Sequence, residues 1–279
     1  MSSILTNASA LTALRNLSNT QNALSKTQSQ ISTGLKVGSA SDNTTNWSVS
    51  TQMKTDNSVI GTIKERLKQN SDLLTTASSA LDGLVNTVDK IKVELAKAAD
   101  AKTDAEFTAI GTSLTKLSEE LTKNISNAAL NGVNLLDGSK TDPIKMVSGF
   151  AGGTGADTFN FIEFTAVDIS DAATTATDTF ADVADSDTAV DAAKAVETFL
   201  GVIRDYAVEL GAAKNQIEAQ SKFLGVLSES LTNSVSSLVD ADMNEASTRL
   251  QALQTQQQLG VQSLSIANQN SQMILRLFQ

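Results

Sequence analysis

Apolar residues recur at alternating three- and four-residue steps through most of this 279-residue chain. From Ile60 the frame runs through Ile63, Leu67, Asn70, Leu74, Ala77, Leu81, Leu84, Val88, Ile91 and Leu95, and Asn70 is its one polar position. That spacing keeps one stripe on one face of a helix and predicts a coiled-coil seam. A helix from about Trp47 to Ala99 would be about 80 Å long at ~1.5 Å per residue. A second stretch runs Phe107, Ile110, Leu114, Leu117, Leu121 behind Thr103-Asp104-Ala105-Glu106, which has the form of a capping box. A third steps by sevens through Ile203, Leu210, Ile217, Leu224, Leu231 and Leu238. Helices of this length predict a rod.

Both ends carry the same stripe. Ile4 to Leu11 is a seven-residue step, as are Leu17 to Leu24 and Leu24 to Ile31, with Leu14 between and Leu35 beyond. At the other end Leu250, Leu253, Gln257, Gly260, Leu264, Ala267, Ser271, Ile274 and Phe278 alternate in threes and fours, accompanied by Leu275 and Leu277. Asp242-Met243-Asn244-Glu245 is a helix start, and Gly34 and Gly38 predict a break before a restart at Ser41 or Asp42. The middle reads differently. Ile144 to Phe150 and Phe159 to Val167 predict two short strands around a glycine-rich turn. Asp168 to Asp187, rich in Asp, Ala and Thr, predicts a surface loop or a small irregular lobe.

Charge sharpens this picture. Net charge is −10, but no acidic residue precedes Asp42 and none follows Glu245. Between Lys145 and Lys194 there is no basic residue, and nine carboxylates lie from Asp157 to Asp191. An acidic chain without a basic stripe is a poor nucleic-acid ligand. The terminal helices instead present Asn, Gln, Ser and Thr, side chains that can be buried against protein without burying charge. That places subunit contacts at Ile4, Leu11, Leu14, Leu17, Leu24, Ile31, Leu250, Leu253, Leu264, Ile274, Leu275, Leu277 and Phe278.

Composition argues against chemistry. With no Cys and no His there are no disulfides, no Cys/His zinc site and no imidazole base. Gly132 and Gly138 with Ser-Lys-Thr miss the phosphate-loop spacing, since five residues separate the glycines and Ser139 stands where Lys belongs. Gly149 to Gly155 leads into a strand, unlike a dinucleotide fingerprint. Asp182, Asp185, Asp187 and Asp191 lack the glycine and terminal Glu of a calcium loop. The expectation is a mainly α structural protein without cofactor or metal, with no membrane span and no secretory signal peptide. The competing reading from another class is a soluble coiled-coil signalling module.

Several motifs resemble flagellin. Gln30 to Val37 (QISTGLKV) with Ser39 to Asn43 is similar to that family's N-terminal signature, and Ala129 to Asp137 (ALNGVNLLD) to its asparagine-glycine turn. Leu210-Gly211-Ala212 with Asn215, Asp240-Ala241-Asp242, and Ala267-Asn268-Gln269 before Ile274-Leu275 resemble its C-terminal motifs. Asp42-Asn43 stands where paired acids are usual. The resemblance implies a subunit that polymerises into an extracellular bacterial filament for motility, exported unfolded through a type III apparatus. It implies an inner-tube coiled coil from 1–42 and 239–279, a helical rod domain with β-turns from 43–149 and 187–238, and a short solvent-facing segment at 150–186. It implies as partners other flagellin subunits, an export chaperone at the C-terminal region, and the cap and hook-junction proteins. A hook-filament junction protein, which shares terminal heptads, is the nearer rival.

Overall fold

The computed structural model describes residues 7–140, 142–150, 159–180 and 183–277, with side chains up to Gln269. Its elements in chain order are α1 (Ala8–Thr33), α2 (Thr44–Asp100), α3 (Asp104–Asn127), β1 (Ala129–Leu130), β2 (Val133–Asn134), β3 (Ile144–Phe150), β4 (Phe159–Phe164), α4 (Ile169–Asp178), α5 (Ser186–Val239) and α6 (Met243–Leu277). The protein is therefore mainly α with two small antiparallel hairpins, β1–β2 and β3–β4. Two compact units form, one from residues 1–55 with 229–279 and one from 56–228.

In the 56–228 unit the heptad frame is the core. Ile60, Ile63, Leu67, Leu74, Ala77, Leu81, Leu84, Val88, Ile91 and Leu95 are all buried, and only Asn70 is half-exposed. From α3 come Ile110, Leu114, Leu121 and Ile125, and from α5 Ile203, Leu210, Ile217 and Leu224. The capping box is formed: Thr103 Oγ1 accepts from the Glu106 N–H while Glu106 accepts from the Thr103 N–H. Ion pairs bridge the helices on their solvent side, Lys92 to Glu197 at 2.6 Å and Lys90 to Glu120 at 3.2 Å.

The β1–β2 hairpin turns through Asn131 and Gly132, both at positive φ, the pair that a two-residue turn requires. Beside it Asn134 is buried and satisfied, donating to the Ile125 carbonyl and accepting from the Leu136 N–H. Tyr206 of α5 donates to the Leu135 carbonyl at 2.9 Å, its ring against Phe164 of β4. Burial pushes that phenol well above its ordinary pKa.

The stretch from Asp168 departs from the expected surface loop or small irregular lobe, because it forms the regular helix α4. Asp168 caps the helix by accepting from the Asp171 N–H, and Ile169, Ala173 and Ala176 are buried, followed by Phe180 and Val183. Those five positions follow helical spacing, but two of them are alanines among many exposed alanines, so the stripe is faint in the sequence. Gly138 lets α4 approach: a Cβ there would collide with the Asp168 carboxylate, and its φ is +69°.

In the unit built from the ends, α1 packs on α6. Asn7 caps α1 by accepting from the Ala10 N–H, and Gly34 ends it in the left-handed conformation with its N–H on the Gln30 carbonyl. The restart differs from the expected Ser41 or Asp42. Asn43 accepts from the Asn46 N–H at the head of α2, while Asp42 closes the preceding turn, accepting from the Gly38 and Ser39 N–H groups.

Candidate assembly interface

The α1–α6 pair is antiparallel. Asn7 donates to the Ala267 carbonyl at 3.0 Å, and Gln257 donates to the Gln21 side-chain carbonyl at 2.7 Å. Leu17 sits so close to Gly260 that a Cβ there would lie 3.2 Å from Leu17 Cδ1. On α1 the more protected positions are Ala10, Ala13, Leu17, Thr20, Leu24, Thr27 and Ile31; on α6 they include Ala246, Leu250, Leu253, Gln257, Gly260, Leu264 and Ala267. Both sets step by threes and fours, as a seam does. The seam is thin, since Leu24 and Thr27 alone are buried in α1.

The expected contact residues separate by position. Leu17, Leu24, Ile31, Leu250, Leu253 and Leu264 lie in the seam, facing the partner helix of the same chain. Leu11 and Leu14 do not: they are 49% and 55% exposed, one position off the frame. Ile274, Leu275 and Leu277 belong to α6, but their side chains, like Ile4 and Phe278 entirely, lie outside the described residues.

Sequence reading passed over three further exposed side chains, Leu259 (57%), Val261 (53%) and Ile266 (60%). Each is one residue away from a seam position, so a search for the heptad frame skips it. An apolar residue out of frame on an otherwise polar helix was the available signal. Helical rotation puts Val261 on the same flank of the antiparallel pair as Leu11 and Leu14, and Leu259 and Ile266 on the opposite flank. Between them the flanks are amide and hydroxyl. Threonine hydroxyls donate back to their own helix, Thr12 to Ala8, Thr20 to Asn16 and Thr27 to Ala23 on α1, Thr248 to Asn244 and Thr255 to Gln251 on α6.

Where α1 and α6 meet the neighbouring helices, the two connecting segments pair. Leu35 bridges Asp240; Lys36 and Val37 donate to the Val239 carbonyl at 2.7 and 3.2 Å, and Ala241 donates to the Gly34 carbonyl at 2.9 Å. Beside this bridge lies a cleft of about 480 Å³ lined among others by Lys26, Lys36, Asp42, Asp240, Asp242 and Arg249. Lys26 pairs with Asp42 at 3.3 Å. The Ser39 hydroxyl, then Lys26 and the backbone N–H groups, hold the Asp42 carboxyl below its ordinary value. With Glu245 the lining carries four carboxylates against three basic side chains, and this mixture of signs suits a structural joint better than a site for one charged ligand. No described helix is long and apolar enough to cross a membrane.

Residues 4–141 match the family model of the bacterial flagellin N-terminal helical region, and residues 193–278 that of the bacterial flagellin C-terminal helical region. A flagellin of Brucella melitensis is 43% identical over 284 residues, covering all of both chains. Flagellin C of Rhizobium meliloti is 33% identical over 322 residues, again covering all of both. Among solved structures, Bacillus cereus flagellin aligns at a TM-score of 0.47 with 17% identity, over 57% of this chain and 88% of that one. Bacillus cereus FlgL aligns at 0.49 with 15% identity, over 69% and 100%.

Proposed function

We propose a mechanism of assembly from one premise: the chain belongs to the bacterial flagellin family, and is a structural subunit of the extracellular flagellar filament and not an enzyme. It polymerises with other flagellin subunits. The contact surface is the α1–α6 pair, and the observation that carries this is apolar exposure on both of its flanks: Leu11, Leu14 and Val261 on one side, Leu259 and Ile266 on the other. A pair with one apolar flank could close as a dimer. Two flanks admit a neighbour on each side, which is what a continuous array requires.

The seam residues Leu17, Leu24, Ile31, Leu250, Leu253 and Leu264 hold the pair, and the flank residues join one pair to the next. Ile4, Ile274, Leu275, Leu277 and Phe278 join the proposed contacts on their apolar character and sequence pattern alone. Ordering each residue costs about 1–2 kcal/mol of backbone freedom, while a fully buried Leu returns only about 1.5–3 kcal/mol. With Leu24 the one buried Leu of α1, the free pair is marginal and completes its folding as neighbours cover its flanks. Residues 1–42 and 239–279 are the assembling domain and 43–149 with 187–238 the rod, while 150–186 replaces larger outer domains.

Membership of the family implies export without a cleaved signal peptide and a chaperone at the C-terminal region before export. Cap and hook-junction proteins meet the pair at the two ends of the polymer. The junction-protein reading is less favoured, because the relatives reported above that match over the full length are named flagellins.

The test is seeded elongation with tryptic mapping. Free subunits are cut at Arg15, Lys26, Lys36 and Arg249 to leave a resistant core, and filaments resist at all four sites. Removing Met273 to Gln279 abolishes elongation and leaves the melting of the core unchanged. A free subunit protected as fully as the filament would show that the ends are ordinary intramolecular core.

A further inference from the structure

The α1–α6 seam contains an internal repeat that its observed register does not use. Leu17 against Gly260 and Gln21 bonded to Gln257 fix the layers by heptad counting: Ala13 faces Leu264, Thr20 faces Gln257, and Leu24 faces Leu253. One heptad further along α1, Leu17, Thr20 and Gln21 recur in kind as Leu24, Thr27 and Gln28. Sliding α1 along α6 by seven residues, about 10 Å, would put Leu24 over Gly260, Thr27 at Gln257 and Gln28 within reach of the same amide. Ile31 would replace Leu24 opposite Leu253, and Thr20 would replace Ala13 opposite Leu264. A large side chain again meets the glycine, and the polar layer is again matched. A seam that repeats its own sizes and polarity specifies register weakly, whereas a single polar layer without a repeat would fix it.

Along the seam itself the slide takes Thr27 from Leu250 and Ile31 from Ala246 and brings Leu17 in place of Ala10 against Ala267, and the other contacts that distinguish the two registers lie outside the repeat. The Leu35–Asp240 bridge, with Lys36 N–H on the Val239 carbonyl and Ala241 N–H on the Gly34 carbonyl, ties the end of α1 to the start of α6. The Lys26–Asp42 pair and the Asn7 contact with the Ala267 carbonyl also belong to the observed register alone. The chain between Gly34 and Asn43 is folded into a turn at Ser39 to Asp42. Extended at about 3.3 Å per residue, it has the length to follow a 10 Å slide.

We propose that the α1–α6 pair has two near-equivalent registers one heptad apart, and that the backbone bridge at Leu35–Asp240 is the latch that selects between them. The register is then a property of the joint, and a partner or a lattice strain that opens the bridge releases a 10 Å slide.

The chain has no cysteine, so introduced pairs report cleanly. Ala13→Cys with Leu264→Cys reads the observed register, and Thr20→Cys with Leu264→Cys the slid one. Each pair is made in the full chain with the latch intact, and with Lys36→Pro or Ala241→Pro, either of which deletes one bridging N–H. Every variant is co-assembled with excess unmodified chain, pelleted as filaments and treated with a mild thiol oxidant. Non-reducing gels and peptide masses then separate intrachain from interchain disulfides. With the latch intact the 13/264 pair closes within one chain and the 20/264 pair at least ten-fold less. Either proline raises the 20/264 yield at least ten-fold. An unchanged 20/264 yield in both proline variants overturns the proposal, as does exclusion of both from the filaments or a covalent dimer at 13/264. The proposal rests on the assembly reading only for its matrix. Should the unmodified chain form no filaments, that reading fails, and the same cysteine pairs on the free chain decide between the registers.

Discussion

α2 and α6 are written in the same three-four rhythm, yet the rhythm meets different fates. Along α2 the frame from Ile60 to Leu95 is buried at ten positions, with Leu67, Leu84 and Val88 at 0% exposure. Along α6 and its partner α1 the frame reaches half-burial at Leu17, Ile31, Leu250, Leu253 and Leu264, while Leu11 and Leu14 stand in solvent. Where α2 runs, α3 and α5 supply further apolar stripes and close a core around it. Among the described residues the terminal helices pack chiefly on each other. A stripe of a given strength therefore measures how many partners a helix is built to have, and a half-filled one in a single chain points to partners in other chains.

The sharpest way to break this comparison is to exchange the consequences of substitution in the two regions. Leu14→Asp with Ile266→Asp should abolish elongation of seeded filaments, read by light scattering and electron microscopy. On the free chain Leu14→Ala should change unfolding by no more than about 0.5 kcal/mol, as exposed substitutions do. If Leu14→Asp and Ile266→Asp subunits elongate normally, the flanks are not the contact surface. Leu84→Ala should behave in the opposite way, destabilising the free chain by about 2–5 kcal/mol in denaturant titration, because it opens a cavity in a closed core. A loss below about 1 kcal/mol there would mean the α2 core is as loosely filled as the terminal seam.

Smaller effects refine the contrast. Thr103→Ala removes one half of the capping box at α3 and should cost about 0.5–2 kcal/mol in the thermal unfolding of the 56–228 unit. The same change at Thr12, whose hydroxyl bonds only to its own helix, should leave thermal unfolding within about 0.5 kcal/mol. Smallest is the pH response of the joint. Asp42 is held below the ordinary value of 3.8, by the Ser39 hydroxyl first and Lys26 second. A depressed carboxyl contributes its stability above 3.8 and loses it as pH falls through the folded value. A carbon-detected titration should place the Asp42 midpoint below 3.8, and Ser39→Ala should raise it more than Lys26→Ala does. A midpoint at 3.8 in the unsubstituted chain would show the Ser39–Asp42 turn to be open in solution.

Long helices, the capping box, the glycine end of α1 and the position of the β3–β4 hairpin were all legible, because each depends on local spacing or on one residue type. α4 was not, since Ala173 and Ala176 are too small to mark a stripe among so many alanines, and their burial depends on α3. Nor was the head of α2 placed correctly: Ser41, Asp42 and Asn43 can all accept from backbone N–H groups, and tertiary geometry assigns the cap to Asn43. For the interface, the heptad frame located the seam at Leu17, Leu24 and Leu253. By construction it could not show Leu259, Val261 or Ile266, which lie out of frame. The bridge between Leu35 and Asp240 joins residues 205 positions apart, and no pattern along the chain announces it.

The exposed threonines Thr12 of α1 and Thr248 and Thr255 of α6 turn their hydroxyls inward, onto the carbonyl one turn back. A hydroxyl so engaged asks nothing of whatever lies next to it. It offers a neighbouring molecule a methyl group and a satisfied oxygen, so contact can be made, shifted or exchanged without stranding a donor. Where such threonines meet a neighbour, contact leaves no hydroxyl donor of theirs unpaired.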